Sequence, residues 1–269
     1  MQYDPIKRSL GKIFNQSPAL RKLFYQLLDL LLLRAWHVRK ELKKFRGRSP
    51  RFILDAGSGF GQYTYRMGKI FPMASVLAVD VKAEQIADCN RFFNRIGQGQ
   101  RILFQEADLT KFVDPEKFQL VLSIDVMEHI ENDVQVFRNF YASMAEDGVL
   151  LISTPSDQGG SDSHDHEEGV QGFIDEHVRD GYNIREIEDK LKSAGFSKVE
   201  AAYSYGTPGK ISWKLSMKYP IQLLGISKLF FILLPFYYVV AFPIAAVLNY
   251  FDIHGQHSTG TGLIVKAYK

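Results

Sequence analysis

Residues 52–61, F-I-L-D-A-G-S-G-F-G, constrain this chain more than any other stretch. An apolar run ends in Asp55, glycines follow at alternate positions, and a helical pattern resumes at Tyr63. Glycines at that spacing let the backbone reverse tightly and approach a ligand with no Cβ in the way. The helix that follows directs unpaired N–H groups and the positive end of its dipole at the same point. Dinucleotide enzymes place G-x-G-x-x-G at such a turn, whereas Gly57, Gly59 and Gly61 read G-x-G-x-G behind a carboxylate.

Short apolar runs then alternate with helical stretches. Strands are expected at 52–55, 75–80, 102–106, 120–124 and 149–153, and helices at 63–70, 83–96 and 133–145. A helix over about 183–194 ends at Gly195, and 197–205 and 262–268 read as the last strands. Strands alternating with helices predict an α/β fold with helices on both faces of a mostly parallel sheet.

Two segments stand outside this pattern. The first fifty residues carry twelve Lys and Arg against Asp4, Asp29 and Glu41, and 12–46 reads as one helix with Leu20, Leu23, Phe24, Leu27, Leu28 and Leu31 at helical spacing. Leu30, Leu32 and Leu33 spread the apolar surface further round, so the helix requires burial, a partner or lipid. The second is Leu229–Leu248, charge-free and long enough to span a bilayer. Pro235 and Pro243 argue for a break or kink there. A single crossing between neighbouring strands is topologically forbidden if the final strand rejoins the sheet. The segment is therefore expected to be a surface cap, a re-entrant hairpin or a dimer interface. The expected division is a basic amphipathic extension (1–50), an α/β core (51–206), an apolar insertion (207–258) and a closing strand (259–269).

Net charge is +3, too small to argue for nucleic acid. The single cysteine, Cys89, excludes an internal disulfide framework and reads as filler in a helix. No apolar signal core followed by small residues is visible at the N-terminus, so a cytoplasmic location, peripheral to a membrane at most, is expected.

The D-x-G-x-G-x-G turn after the first strand resembles motif I of the class I S-adenosylmethionine (SAM)-dependent methyltransferases. Further stations in order strengthen the resemblance: Asp80 ends the second strand, Q-E-A-D-L (105–109) ends the third, F-Q-L-V-L-S-I-D-V-M-E-H-I is similar to motif IV, and E-D-G-V-L-L-I-S-T-P to the turn into the fifth strand. The resemblance implies a Rossmann-like, seven-stranded, mostly parallel sheet with an antiparallel last strand. It also implies SAM as cofactor. On that reading Asp55, Gly57, Ser58, Gly59, Gly61 and Tyr63 hold its methionine part, Asp80 and Val81 the ribose, Asp108 and Leu109 the adenine, with Asp125 at the fourth strand's tip.

Ligands of open parallel sheets bind beyond the carboxyl ends of the strands, the rim to which six of the seven histidines map. His129 is the first candidate for a base or substrate positioner, with Glu128 and His166 behind it. The D-V-M-E-H-I string is similar to that of quinol O-methyltransferases. The run S-D-S-H-D-H-E-E-G around His164 and His166 is expected to be a solvated loop or a lid with Phe173 and His177 facing inward, and no metal site is expected. Two apolar additions to a cofactor-binding core point to methyl transfer onto a small hydrophobic or lipid-like acceptor. An anionic membrane surface and a homodimer through the insertion are the candidate partners. The alternatives are a nicotinamide-dependent oxidoreductase and a non-catalytic, membrane-associated scaffold retaining the fold.

Overall fold

The computed structural model describes residues 17–159, 178–227 and 229–269. Seven strands, β1 (Phe52–Ala56), β2 (Ser75–Asp80), β3 (Ile102–Glu106), β4 (Phe118–Ile124), β5 (Met144–Pro155), β6 (Lys198–Ser204) and β7 (Gly262–Tyr268), form one sheet in the order β3-β2-β1-β4-β5-β7-β6. Only β7 runs antiparallel to its neighbours, β5 and β6. The chain moves outward from β1 to β3, then returns to place β4 against the free edge of β1. That reversal makes the β1/β4 boundary the topological switch point, where the loops leaving the two tips diverge and open a crevice.

The strands are apolar on both sides because helices cover both faces. Ile53 and Leu54 show the alternation: Ile53 joins a cluster with Val76, Phe92 and Phe93, and Leu54 joins one with Val121, Phe137 and Leu150. Helices α3 (Gln62–Ile70) and α4 (Ala83–Arg95) lie on the first face, α5 (Asp133–Ser143) and α6 (Ile184–Ser193) on the second.

The N-terminal extension is two helices, α1 (Pro18–Leu31) and α2 (Leu33–Lys44), joined at Leu32 in extended conformation (φ −86°, ψ 112°). One continuous helix was expected. Tyr25, Val38 and Leu42 explain the break, because each is fully buried on the first face and the bend lets both helices follow it. The leucine stripe is not what α1 buries. Arg21 and Tyr25 face inward, while Leu23, Leu27 and Leu30 stand exposed.

The insertion leaves the sheet at Ser204 and rejoins it at Gly262, its register partner. Helix α7 (Thr207–Trp213), a π-helical turn (Lys214–Lys218) and α8 (Tyr219–Ile226) lead out, and α9 (Phe230–His254) returns along them. The pairing runs from Gly209–Asp252 through Ser212–Asn249 to Ser216–Tyr238, so the insertion is an antiparallel helical hairpin. The expected break at Pro235 and Pro243 does not occur. Both prolines lie on the exposed side of α9, and the opposite side, Ala241, Ala245, Asn249 and Asp252, is locked against α7.

Candidate functional site

The turn after β1 is held in shape by its own backbone. Gly57 and Ser58 donate N–H bonds to the Val79 carbonyl, and Gly61 donates to the Ser58 carbonyl. Gly57, Gly59 and Gly61 have φ of 78°, 51° and 83°, a region L side chains avoid. Their surroundings differ. A Cβ on Gly57 would meet Val126 at 2.2 Å, whereas one on Gly59 would find only Gln85 Oε1, at 4.0 Å. Gly57 thus lets the turn pack against the exit of β4, and Gly59 leaves an open floor.

Carboxylates surround that floor. Asp80, at the tip of β2, accepts from Gly59 N–H (2.8 Å) with one oxygen and from Lys82 N–H (3.0 Å) with the other. Asp55 is buried and accepts from the Thr64 hydroxyl. Burial pushes its carboxyl up to about 7, Thr64 works against the shift, and nearby Asp80 adds to it. A desolvated carboxylate without a basic partner favours an arriving cation. The Ser58 hydroxyl is buried and has no hydrogen-bond partner, a vacancy for a ligand polar atom.

The third station is arranged differently from the simplest expectation. Asp108 accepts from the Thr110 N–H (2.9 Å) and hydroxyl (2.7 Å), bonds that hold its carboxyl below the ordinary range. Leu109 is buried in the core of the second face, and Val81 is exposed beside Asp80.

At the tip of β4, Asp125 adopts a left-handed conformation (φ 50°) and pairs with Arg34 of α2. Arg34 also donates through Nε to the Tyr63 hydroxyl (3.2 Å) and through its backbone N–H to the Tyr205 hydroxyl (2.9 Å). Tyr205 is itself left-handed (φ 57°) and follows β6. Two left-handed non-glycine residues thus meet at Arg34, Asp125 through the guanidinium and Tyr205 through the backbone N–H. Burial raises both tyrosines, Tyr205 to about 12, and Arg34 opposes the shift in each. Glu128 is buried, accepts from the Thr154 hydroxyl (3.1 Å) and is raised by that burial. His129, the next residue in the short helical turn after β4, faces solvent.

The extension is a wall of this site. Arg21 and Tyr25 both donate to the Phe60 carbonyl in the glycine turn, and Arg21 pairs with Asp88 at 2.5 Å. Two surface hollows, about 340 and 560 Å³, lie elsewhere. Neither is lined by the glycine turn, where Arg34, Tyr63 and Tyr205 crowd the rim.

A family model described as a methyltransferase domain matches residues 53–148, the span that holds every element from β1 to the start of β5. Over that span the chain matches a methyltransferase domain, and its sheet has the class I methyltransferase fold. Its curated relatives include the malonyl-[acyl-carrier protein] O-methyltransferase of Bacillus cereus, 29% identical over 102 residues (38% of this chain, 36% of that protein). Phosphoethanolamine N-methyltransferase 1 of Triticum aestivum is 27% identical over 150 residues (55% and 29%). The chain spans well under half the length of these relatives. Among solved structures, phosphoethanolamine N-methyltransferase 2 of Haemonchus contortus with S-adenosylhomocysteine aligns at TM-score 0.57 and 18% identity, covering 81% of this chain and 48% of that one. At that identity it supports the fold.

SAM is the cofactor of this domain family, and the residues present fit it. The open face of Gly59, the orphaned Ser58 hydroxyl and the desolvated Asp55 carboxylate suit a ligand that is polar, close to the backbone and cationic. The structure brings Asp55, Ser58, Gly59, Tyr63, Asp80, Asp125 and Glu128 to one rim. It places Leu109 within the core instead. His166 and the loop around it lie outside the described residues.

Sequence reasoning missed Arg34 and Tyr205. Arg34 is one of twelve cations in the extension, and no spacing sets it apart. Of the histidines expected on the cofactor rim, His257 joins His37 in binding the fully buried Asp252, which ties the root of the hairpin to Tyr205. Cys89 is buried among aromatics and its thiol is pushed up to about 12, so it is inert filler.

Proposed function

We propose that this methyltransferase core transfers a methyl group from SAM to a small hydrophobic or lipid-like acceptor. SAM supplies the methyl as a carbon already activated by positive sulfur. What remains for the chain is to bind, align and desolvate, and to take a proton if the acceptor carries one.

The residues divide along those lines. Asp55, Gly57, Ser58, Gly59, Gly61 and Tyr63 form the floor for the amino-acid end, with Asp80 and Val81 at the ribose and Asp108 at the adenine. The Asp125–Arg34 pair offers one charge of each sign, which matches the ammonium and carboxylate of an amino acid. Glu128 is too enclosed to serve as the free base and is better suited to orienting its neighbours. His129 is accessible on the same rim and carries the side chain best matched to proton transfer near neutral pH.

The acceptor class rests on one observation. The apolar hairpin begins beside the site, since α7 starts three residues after β6 and directly after Tyr205 and Gly206. An apolar molecule held along that hairpin meets the rim at Tyr205. Peripheral residence at a membrane belongs to the same reading.

Methyl-labelled SAM incubated with the protein and a total lipid extract tests it. Label recovered in the organic phase, matched by S-adenosylhomocysteine release, is the expected result. Transfer to phosphoethanolamine or malonyl-acyl carrier protein, with none to lipid, would overturn the hydrophobic acceptor.

A further inference from the structure

Helices of water-soluble domains bury apolar side chains and turn polar ones outward. The hairpin does the reverse. Its interior holds Ser212, Ser216, Asn249 and Asp252, all buried. Ser212 donates to the Ala245 carbonyl (3.1 Å) and bonds Asn249 (2.6 Å), while Asp252 accepts from Gly209 N–H (3.0 Å). Tyr237 and Tyr238 turn their hydroxyls inward onto the Leu215 and Ser216 carbonyls (2.7 and 2.8 Å), which belong to the π-helical turn. The outer side of α9 carries Phe236, Val239, Val240, Ile244, Val247 and Phe251, all exposed. Only 11% of its most apolar stretch is buried. Satisfying polar groups internally while showing hydrocarbon outward is what a lipid environment demands.

Charge says which lipid. Between Glu200 and Asp252 the sequence has no acidic residue and four lysines, Lys210, Lys214, Lys218 and Lys228. A cationic segment with an apolar face binds anionic headgroups while its apolar side enters the acyl boundary. A second copy of the chain fits poorly. A twofold contact through this hairpin doubles its lysines, while its one acid, Asp252, is buried at the root and turned away from the contact. Crossing the bilayer is excluded by the pairing of Ser204 with Gly262, which returns the chain to the rim it left.

We infer that the outer face of α9 lies in the plane of an anionic lipid surface, held there as a monotopic hairpin. This gives the lipid-like acceptor reading its route. The hairpin root is tied to the site through Asp252, which also accepts from the Tyr205 N–H (3.2 Å) and binds His37 of α2 (2.7 Å). A lipid surface engaged by α9 thus adjoins Tyr205 and Arg34.

The test is flotation with vesicles of phosphatidylcholine alone or mixed with phosphatidylglycerol, using the full chain and the double variant Phe236→Asp, Val240→Asp. Both residues are exposed, so the variant should match the wild type in thermal unfolding and in S-adenosylhomocysteine binding. The wild type should float with the anionic vesicles, and the variant should lose roughly tenfold or more of that partition. A wild type that stays with the soluble protein overturns the inference. So does a dimer in light scattering that the variant splits while vesicles have no effect, and equal flotation on neutral vesicles removes the role of the lysines. Flotation without methylation of any lipid would refute the acceptor reading alone. Lipid methylation without flotation would refute the docking surface alone.

Discussion

Gly59→Ala separates the requirements of the fold from those of the cofactor. The residue sits at φ 51°, so an alanine pays the left-handed penalty, about 1–2 kcal/mol. Little else opposes it, because the new methyl finds no protein atom nearer than Gln85 Oε1 at 4.0 Å. For a chain of this size that cost lowers the melting temperature by roughly 2–8 °C. On the proposed placement the methyl stands on the floor that the cofactor approaches, and overpacking a tight contact costs about 1–3 kcal/mol. Affinity for S-adenosylhomocysteine should therefore fall by about tenfold or more, since 1.4 kcal/mol is a factor of ten. Gly57→Ala is the contrasting case: its methyl collides with Val126 at 2.2 Å within the protein, so stability should suffer first. Calorimetric titration and thermal unfolding of the two variants read both effects. A Gly59→Ala protein that binds S-adenosylhomocysteine as tightly as the wild type would refute the placement of the cofactor on this turn.

Asp55→Asn should act in opposite directions on stability and binding. The native carboxyl, raised to about 7 by burial, keeps a proton that the unfolded chain has released from about pH 4 upward. Wild-type stability thus falls as pH rises through that window, and the variant should melt higher than the wild type at about pH 8. Wild-type affinity for SAM should weaken as pH falls below about 7, and the variant should bind weakly and lose that dependence, as calorimetry across the range will show. His129→Ala should lower turnover more than S-adenosylhomocysteine affinity; unchanged turnover removes it from the site. Asp133, buried at the start of α5, resists the cost of its burial through Lys190, Tyr182 and Arg179, and its carboxyl stays below the ordinary range. Asp133→Ala strands those partners and should cost about 2–4 kcal/mol in denaturant unfolding, with cofactor affinity preserved.

Much of the core was legible because strand and helix patterns agree with one another there. β2, β3 and β7 begin and end where the apolar runs do. The glycine turn was legible because positive φ leaves a mark in residue type. Asp125 and Tyr205 also have positive φ, but nothing in an Asp or a Tyr announces it. The break at Leu32 was invisible because leucine is a good helix former, and the bend follows from what Tyr25 and Val38 pack against. Continuation of α9 through two prolines was misjudged for the same kind of reason. Local propensity opposes the helix, and the interlocked Ser212, Ala245 and Asn249 outweigh it. Arg34 could be found only in three dimensions, where extension, glycine helix and two strand tips converge.

Titration of the wild-type protein with S-adenosylhomocysteine and, separately, with NAD reaches the central claim most directly. The account predicts one site per chain for S-adenosylhomocysteine and no heat with NAD. Binding of NAD alone, or of neither ligand by a folded protein, would contradict it.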